Sequence, residues 1–163
     1  MPSITPSLWF DHNLEEAVAF YTSIFPNSHI EDLNRNTDAG PGEPGSVLSG
    51  TFVLDGNRFI GINGGPHFSF SEAVSFTISC RDQDEVDYYW NRLTDGGEES
   101  QCGWCKDRFG LSWQIVPDRL YELVSDPDPA RATAATKAMY GMRKIVIAEL
   151  EQAAAESSRE LIR

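Results

Sequence analysis

The sequence predicts an α+β fold made of two βαβββ modules followed by C-terminal helices. The first indication is a repeat. When the first strand and helix are moved 69 positions along the chain, Trp9 falls on Ile78 and Tyr21 falls on Trp90. The second indication is a tail from Ala130 onward that is rich in Ala, Lys, Glu and Met, residues that favour helices. A repeated unit followed by a helical tail indicates two modules with an extension.

The first module begins with a short apolar strand, and Asp11 or Asn13 can cap the helix that follows. The helix is indicated by apolar residues at helical spacing, namely Leu14, Ala17, Val18, Tyr21 and Phe25. The strands predicted in this module are Ile4–Phe10, His29–Asn36, Val47–Leu54 and Arg58–Asn63.

The loops of the first module are marked by glycine and proline. Residues Thr37–Gly45 contain three glycines and two prolines, which favours a mobile loop. Asp55-Gly56-Asn57 predicts a tight hairpin turn between two strands. Gly64-Gly65-Pro66 opens a second loop, which carries His67.

The second module restarts the pattern with a strand over Ala73–Cys80. Asp82 or Asp84 then begins a helix whose apolar face is Val86, Tyr89, Trp90 and Leu93. Gly96-Gly97 ends this helix, and two or three short strands follow, the last over Leu111–Val116. We therefore predict a first module over residues 1–66, a second over residues 67–118 and a helical extension over residues 119–163.

A short helix predicted over Pro117–Val124, with proline at its start, leads into the extension. A stiff turn follows at residues 125–129, and the helical tail comes after it. Met139, Met142, Val146 and Leu150 form one apolar stripe along that tail. This stripe can pack on its own domain or contact a second copy of the chain, and methionine suits both roles.

Composition excludes several classes of partner. A net charge of −12 disfavours nucleic acid and anionic membranes, because phosphate groups require Lys and Arg. No apolar stretch approaches the roughly 18 residues of a membrane span, and no signal peptide is visible. Three cysteines without a secretory context favour a reduced, cytoplasmic protein.

The run Cys102–Pro117 contains two tryptophans, two cysteines and a glutamine on two predicted strands. It closely resembles the signature "CGW-x-KD-x-FG-x-SWQIVP" of the PhnB-like group in the vicinal oxygen chelate (glyoxalase and bleomycin-resistance) superfamily. Many members of that group carry the name 3-demethylubiquinone-9 3-methyltransferase. Residues Lys137–Ile145 also resemble the group's C-terminal "A-M-x-x-M-K-K-I" helix. The resemblance implies a glyoxalase-like fold in which paired modules, within a chain or across a homodimer, enclose a cavity.

The resemblance also gives the positions where metalloenzymes of the superfamily carry four His, Glu or Gln ligands. Here those positions are Pro6 and Ile60 in the first module, and Ser75 and Gln114 in the second. Only Gln114 is a plausible donor, since proline and isoleucine carry none and serine is a poor ligand at neutral pH. We therefore predict no metal in the usual place and no cofactor.

The candidate site residues follow from the predicted cavity. His67 is the best candidate for a general base, although a solvated loop residue is the simpler interpretation. Asn63 and Gln114 can orient a polar ligand through their amides. The aromatic wall and the pocket lining are predicted to come from Trp9, Phe52, Trp104, Trp113 and Cys102.

Two other features have plainer interpretations. The C-x-x-C spacing of Cys102 and Cys105 lies in strands, so both thiols are expected to line a pocket or the core. Lys106, Asp107 and Arg108 occupy a hairpin turn and are expected to be solvated.

These observations predict a PhnB-like protein of undetermined reaction that binds a small molecule in the cavity without the usual metal. One alternative is a dimer that sequesters a planar ligand without catalysis, as bleomycin-resistance proteins do. The other is the methyltransferase that gives the group its name. The sequence has no glycine-rich turn after a first strand of the kind that S-adenosylmethionine enzymes use, which counts against this alternative.

Overall fold

Both predicted βαβββ modules are present, and each forms a four-stranded mixed sheet with one helix, which confirms the α+β fold class. The computed structural model describes residues 1–160, so the last three residues of the predicted extension lie outside the described residues. The chain divides into two compact units, with unit 1 over Met1–Phe70 and unit 2 from Ser71 onward.

Unit 1 consists of five elements, which are β1 (Ser7–Phe10), α1 (Leu14–Ile24), β2 (His29–Arg35), β3 (Val47–Leu54) and β4 (Asn57–Asn63). Unit 2 repeats this order before adding three helices. Its elements are β5 (Ser75–Cys80), α2 (Gln83–Thr94), β6 (Glu98–Glu99), β7 (Trp104–Lys106), β8 (Ser112–Pro117), α3 (Asp118–Val124), α4 (Pro129–Tyr140) and α5 (Ile147–Glu160).

The two sheets share one topology. The strand orders are β1-β4-β3-β2 and β5-β8-β7-β6, so the first strand of each unit lies beside the last. The β1–β4 and β5–β8 pairs are parallel, and the other pairs are antiparallel. A helix follows the first strand in each unit because a parallel partner can be reached only through a crossover connection.

Helix α1 packs closely on its sheet because a glycine, Gly61, faces it. A Cβ atom at Gly61 would clash with the Leu14 Cδ1 atom. The side chain of Asn63 accepts a hydrogen bond from the Leu14 backbone N–H at 3.0 Å, which satisfies a free donor at the start of the helix. The helix buries Ala17, Val18 and Tyr21, as the apolar spacing predicts.

Helix α2 begins at its predicted cap. The Asp82 carboxylate accepts a hydrogen bond from the Glu85 N–H at 3.0 Å, which satisfies a donor of the first turn. Val86, Trp90 and Leu93 are buried on the face that packs against the sheet of unit 2. This confirms three of the four residues predicted for the apolar face, and Tyr89 is half-buried.

The loop between β2 and β3 closes around one side chain. Asn36 is only 8% exposed, and its amide donates a hydrogen bond to the Ser46 Oγ atom at 2.9 Å. Its Oδ1 atom accepts from the Gly42 N–H at 3.4 Å, and its backbone N–H donates to the Ser46 carbonyl at 2.8 Å. These contacts give the glycine- and proline-rich segment a defined path.

The turn between β7 and β8 differs from its prediction as a solvated surface. Asp107 is only 2% exposed, and its carboxylate accepts three hydrogen bonds. The donors are the Phe109 N–H at 2.8 Å, the Leu111 N–H at 3.1 Å and the Trp113 indole N–H at 2.9 Å. Asp107 therefore organises the turn and fixes the indole of Trp113 in the core.

The C-terminal helices form a core of their own. Its buried members come from α3, α4, α5, the end of β8 and the segment between α4 and α5, and they are Val116, Leu120, Leu123, Ala135, Met142, Ile145, Leu150 and Ala154. The predicted apolar stripe is therefore partly confirmed, because Met142 and Leu150 are buried in this core.

The stripe does not lie on one continuous helix, because residues 141–146 separate α4 from α5. The N–H groups of Cys102 and Gly103 donate to the carbonyls of Met142 and Arg143, each at 2.8 Å. The Gln83 side chain donates to the Ile145 carbonyl at 3.0 Å and accepts from the Ile147 N–H at 2.9 Å. These tertiary hydrogen bonds outweigh the local preference for helix.

None of the helices described is long and apolar enough to cross a lipid bilayer.

We expect Asp107→Asn to lower the free energy of unfolding by about 3 kcal/mol. The substitution replaces one carboxylate oxygen by an amide nitrogen, which cannot accept a hydrogen bond from the N–H group that the oxygen binds in the native protein. Urea denaturation followed by circular dichroism measures this change. Asp38→Asn, in an exposed loop position, is the control and should leave the midpoint unchanged. Equal midpoints for the two variants would contradict the role assigned to the buried carboxylate.

We expect Gly103→Ala to destabilise the protein by about 3 kcal/mol, against about 1 kcal/mol for Gly110→Ala. Both glycines have positive φ, +83° and +85°, so both substitutions strain the backbone. Only a Cβ atom at 103 meets neighbours, the Ile115 carbonyl oxygen at 2.7 Å and the Ile145 Cγ1 atom at 3.2 Å. The difference in unfolding free energy between the variants isolates this close approach, and similar losses would disprove it.

Candidate functional site

The sheet of unit 2 has one face packed on α2 and one face that is open. Side chains alternate along a strand, so Trp113 and Ile115 of β8 share one face and Gln114 and Val116 share the other. Trp113 and Ile115 are 4% and 0% exposed, whereas Gln114 is half-buried. Trp104 of β7 pairs with Gln114 across the strands and therefore lies on the open face with it.

A cavity of about 810 Å³ lies over this open face. Its floor is formed by Trp104, Gln114 and Val116 of the sheet. Helix α3 supplies one wall, from Leu120, Tyr121 and Val124, and helix α4 supplies another, from Thr136, Met139 and Tyr140. The cavity is therefore built jointly by the sheet and the C-terminal helices.

The chemical character of the cavity is aromatic and apolar, with a few polar groups. Tyr121 and Tyr140 are 54% and 69% exposed, and together with Trp104 they offer three aromatic side chains to the cavity. The Gln114 amide donates a hydrogen bond to the Ser75 Oγ atom at 2.9 Å, which fixes its orientation. Glu72 and Cys102 lie at the edge of the cavity.

The three cysteines are free and differ in environment. Burial raises the pKa of the Cys105 thiol to about 12, and nearby Asp107 and Glu99 act in the same direction. Burial likewise raises the pKa of Cys80 to about 12. Cys102 is half-buried, has a positive φ of +57° and lines the cavity. Cys105 is therefore a core residue, and Cys102 is the cysteine that a ligand in the cavity could touch.

Three of the predicted site residues, Cys102, Trp104 and Gln114, lie together in this cavity. Trp113 does not, because it points to the helix side of the sheet and bonds to Asp107.

In unit 1, Phe52 and Asn63 also point to the helix side, contrary to the predicted orientation. Phe52 is 1% exposed and stacks on Phe59 with a centroid distance of 5.5 Å. The Asn63 amide holds the start of α1 and donates to the Val47 carbonyl at 3.0 Å.

The remaining two predicted residues, Trp9 and His67, lie at the loop that follows β4. The Trp9 indole N–H donates to the Gly65 carbonyl at 2.9 Å, and the ring meets Phe68 edge-on at a centroid distance of 4.9 Å. A Cβ atom at Gly64 would lie 2.0 Å from the Trp9 ring, so glycine is needed there. His67 is exposed in the turn that follows β4.

The positions that correspond to the superfamily's metal ligands do not form a metal site. In unit 1, the Ile60 N–H donates a hydrogen bond to the Pro6 carbonyl at 2.9 Å, so the two positions are adjacent. Neither side chain has an atom that can bind a metal. In unit 2, Ser75 and Gln114 are adjacent and bond to each other. Among the described residues, no group of three His, Cys, Asp or Glu side chains is placed to hold a metal. This set of donors does not fit a divalent ion.

The residues of α3 and α4 in the cavity were not predicted as site residues, except that Met139 was placed on an apolar face. Tyr121 and Tyr140 could have indicated a site in the extension, since each is an aromatic residue within a helix-forming segment. Neither falls on the apolar stripe, which is typical of a side chain that faces a cavity or solvent.

The model of the family described as 3-demethylubiquinone-9 3-methyltransferase matches residues 2–116. No curated protein matches the sequence. A solved structure of a PhnB protein from Bacillus cereus, which is described with the same methyltransferase name, is 33% identical. The alignment covers 71% of this chain and 99% of the PhnB chain, with a TM-score of 0.65.

Two further structures are similar in fold alone. The protein PA1353 from Pseudomonas aeruginosa is 19% identical, with a TM-score of 0.59, and the alignment covers 72% of this chain and all of the other. The fosfomycin resistance protein FosX from Listeria monocytogenes is 16% identical, with a TM-score of 0.52 and coverage of 75% and 97%. The family match, which covers most of the chain, and the 33% identity to the PhnB protein show that this protein belongs to the 3-demethylubiquinone-9 3-methyltransferase family, the PhnB-like group.

Proposed function

We propose that this protein binds a small organic molecule with a flat aromatic ring in the cavity of unit 2, and that it does so without the divalent metal of the superfamily's metalloenzymes. The observation that carries the proposal is the juxtaposition of Trp104, Tyr121 and Tyr140 around one open cavity of about 810 Å³. Small-molecule sites in proteins have volumes of about 300–1,000 Å³, so the cavity has a suitable size.

The composition of the cavity supports an aromatic ligand. Aromatic side chains pair with flat rings through offset or edge-to-face contacts, and the apolar side chains Val116, Leu120 and Val124 favour burial of a hydrocarbon surface. The oriented Gln114 amide can supply a directional hydrogen bond to a polar substituent. Ligand sites commonly combine a mostly apolar lining with a few fixed polar groups in this way.

The methyl-transfer reaction in the family's name has less support from this chain. Methyltransferases that use S-adenosylmethionine commonly have a parallel, doubly wound sheet with a glycine-rich turn after the first strand. Here both sheets are mixed, and β1 is joined to α1 by Asp11-His12-Asn13. We therefore propose sequestration of an unchanged ligand, which recovery of the intact ligand tests. We also propose that the protein is a cytoplasmic homodimer, and sedimentation velocity tests its oligomeric state.

We expect para-nitrobenzyl alcohol to quench the tryptophan fluorescence of the protein, since a nitroaromatic ring in contact with Trp104 accepts an electron from the excited indole. Trp104→Phe should remove most of this quenching, whereas the control Trp9→Phe, in unit 1, should retain it. Fluorescence titration corrected for absorption by the probe gives the dissociation constant. Quenching that survives in Trp104→Phe with an unchanged constant would show that the ring binds elsewhere.

We expect only Cys102 to react with iodoacetamide in the folded protein at pH 8. A thiol with a pKa of about 12, such as Cys80 or Cys105, is ionised in only about one molecule in ten thousand at that pH. Mass spectrometry of the labelled peptides identifies the site, and the unfolded protein should react at all three cysteines. Saturating nitrobenzyl alcohol should slow the labelling of Cys102; an unchanged rate would argue against a ligand beside this residue.

A further inference from the structure

A second, smaller pocket of about 100 Å³ adjoins the aromatic cavity. The two share Glu72, Ser100 and Trp104 in their linings, so a ligand in the cavity could extend a substituent into the pocket. The pocket has the volume of roughly three water molecules, which is enough for a substituent of three or four non-hydrogen atoms. We call it the polar pocket, and its lining also includes Glu98, Glu99, Lys106 and Ser112.

Ser112 gives the first sign that the polar pocket takes a ligand. This residue is 1% exposed, and its Oγ atom has no hydrogen-bond partner among the described residues. It pairs with Lys106 across β7 and β8, so both side chains lie on the open face. Leaving a buried hydroxyl unsatisfied is unfavourable, which favours a partner in the pocket that bonds directly or through one water molecule.

The charges around the polar pocket give the second sign. Lys106 Nζ lies 2.6 Å from Glu72 Oε1, so these two charges largely cancel. Glu98 pairs with Lys106 across β6 and β7 and therefore lies on the same face, which gives the lining two carboxylates against one ammonium. Glu99 pairs with Cys105 and lies on the opposite face, where its carboxylate accepts from the Trp90 indole N–H at 3.0 Å and lies 3.6 Å from Arg143 Nη1. The lining thus carries one negative charge in excess.

We propose that the polar pocket binds a positively charged ammonium group on the ligand whose aromatic ring occupies the cavity. An ammonium group has only donors, which suits both the free Ser112 hydroxyl and the excess of carboxylates. This inference rests on the proposed function, because it assigns the second half of the same ligand. It specifies that the ligand is an aromatic amine in which a short linker separates the ring from the charge.

The test compares three probes that share one ring, para-nitrobenzylamine, para-nitrobenzyl alcohol and para-nitrobenzoate. We expect the protonated amine to bind about tenfold more tightly than the alcohol at neutral pH, which is the size of one good hydrogen bond to a charged group. The anion should bind weakest. Isothermal titration calorimetry of the full-length protein measures all three affinities.

Ser112→Ala should weaken binding of the amine severalfold and leave the alcohol unaffected, with a urea midpoint that is unchanged or higher. Its matched control is Ser79→Ala, an exposed serine on β5 that lies outside both linings. The net charge of −12 attracts any cation, so a charge control is also needed. Glu98→Gln should reduce the preference for the amine about threefold, whereas Glu43→Gln, in a loop of unit 1 outside both linings, should not.

The outcomes separate the two proposals. Equal binding of amine and alcohol, or tighter binding of the anion, would overturn the ammonium site while the aromatic cavity stands. Failure of all three probes to bind would overturn both. Identical effects of Ser112→Ala and Ser79→Ala, or of the two glutamate variants, would show that the preference for cations is a general property of the charged surface.

Discussion

The structure of unit 2 depends on the turn formed by Cys102 and Gly103. Both residues have positive φ, and this conformation directs their two N–H groups toward the carbonyls of Met142 and Arg143. Only a glycine at 103 permits the close approach to the Ile115 carbonyl. These contacts fix the segment between α4 and α5 against the sheet, so the helical wall of the cavity is held over its floor.

The cavity is lined partly by residues that the family model matches and partly by residues beyond that match. Its floor lies in residues that the family model matches, which end at 116, whereas Tyr121, Met139 and Tyr140 lie beyond that match. The fold is shared with the PhnB protein of Bacillus cereus. The aromatic residues of the walls come from the extension, so under the proposed function the selectivity for a ligand would arise there.

Hydrophobic periodicity was sufficient to predict the helix and most strands of each module, because most of these elements have one face in a core. Strand β2 is an exception, since none of its seven residues is buried. It was not sufficient for the orientation of single strands, since a shift of one residue moves every side chain to the opposite face. Phe52 and Asn63 were assigned to the wrong face for this reason. The break after Tyr140 could not be predicted either, because it depends on the side chain of Gln83 and the turn at Cys102, both distant in sequence. The burial of Asp107 depends likewise on the indole of Trp113.

The hydrogen bonds that join the segment between α4 and α5 to Gln83 and to the turn at Cys102 have a consequence for affinity. If these bonds are weakened, the extension opens locally at a lower free energy than the rest of unit 2. A ligand that touches both the sheet and α4 binds only the closed form, so its apparent affinity is reduced by the fraction of molecules in which the extension is open. Substitutions at Gln83 or in residues 142–147, none of which lines the aromatic cavity, could therefore tune ligand affinity over a wide range without altering one contact to the ligand.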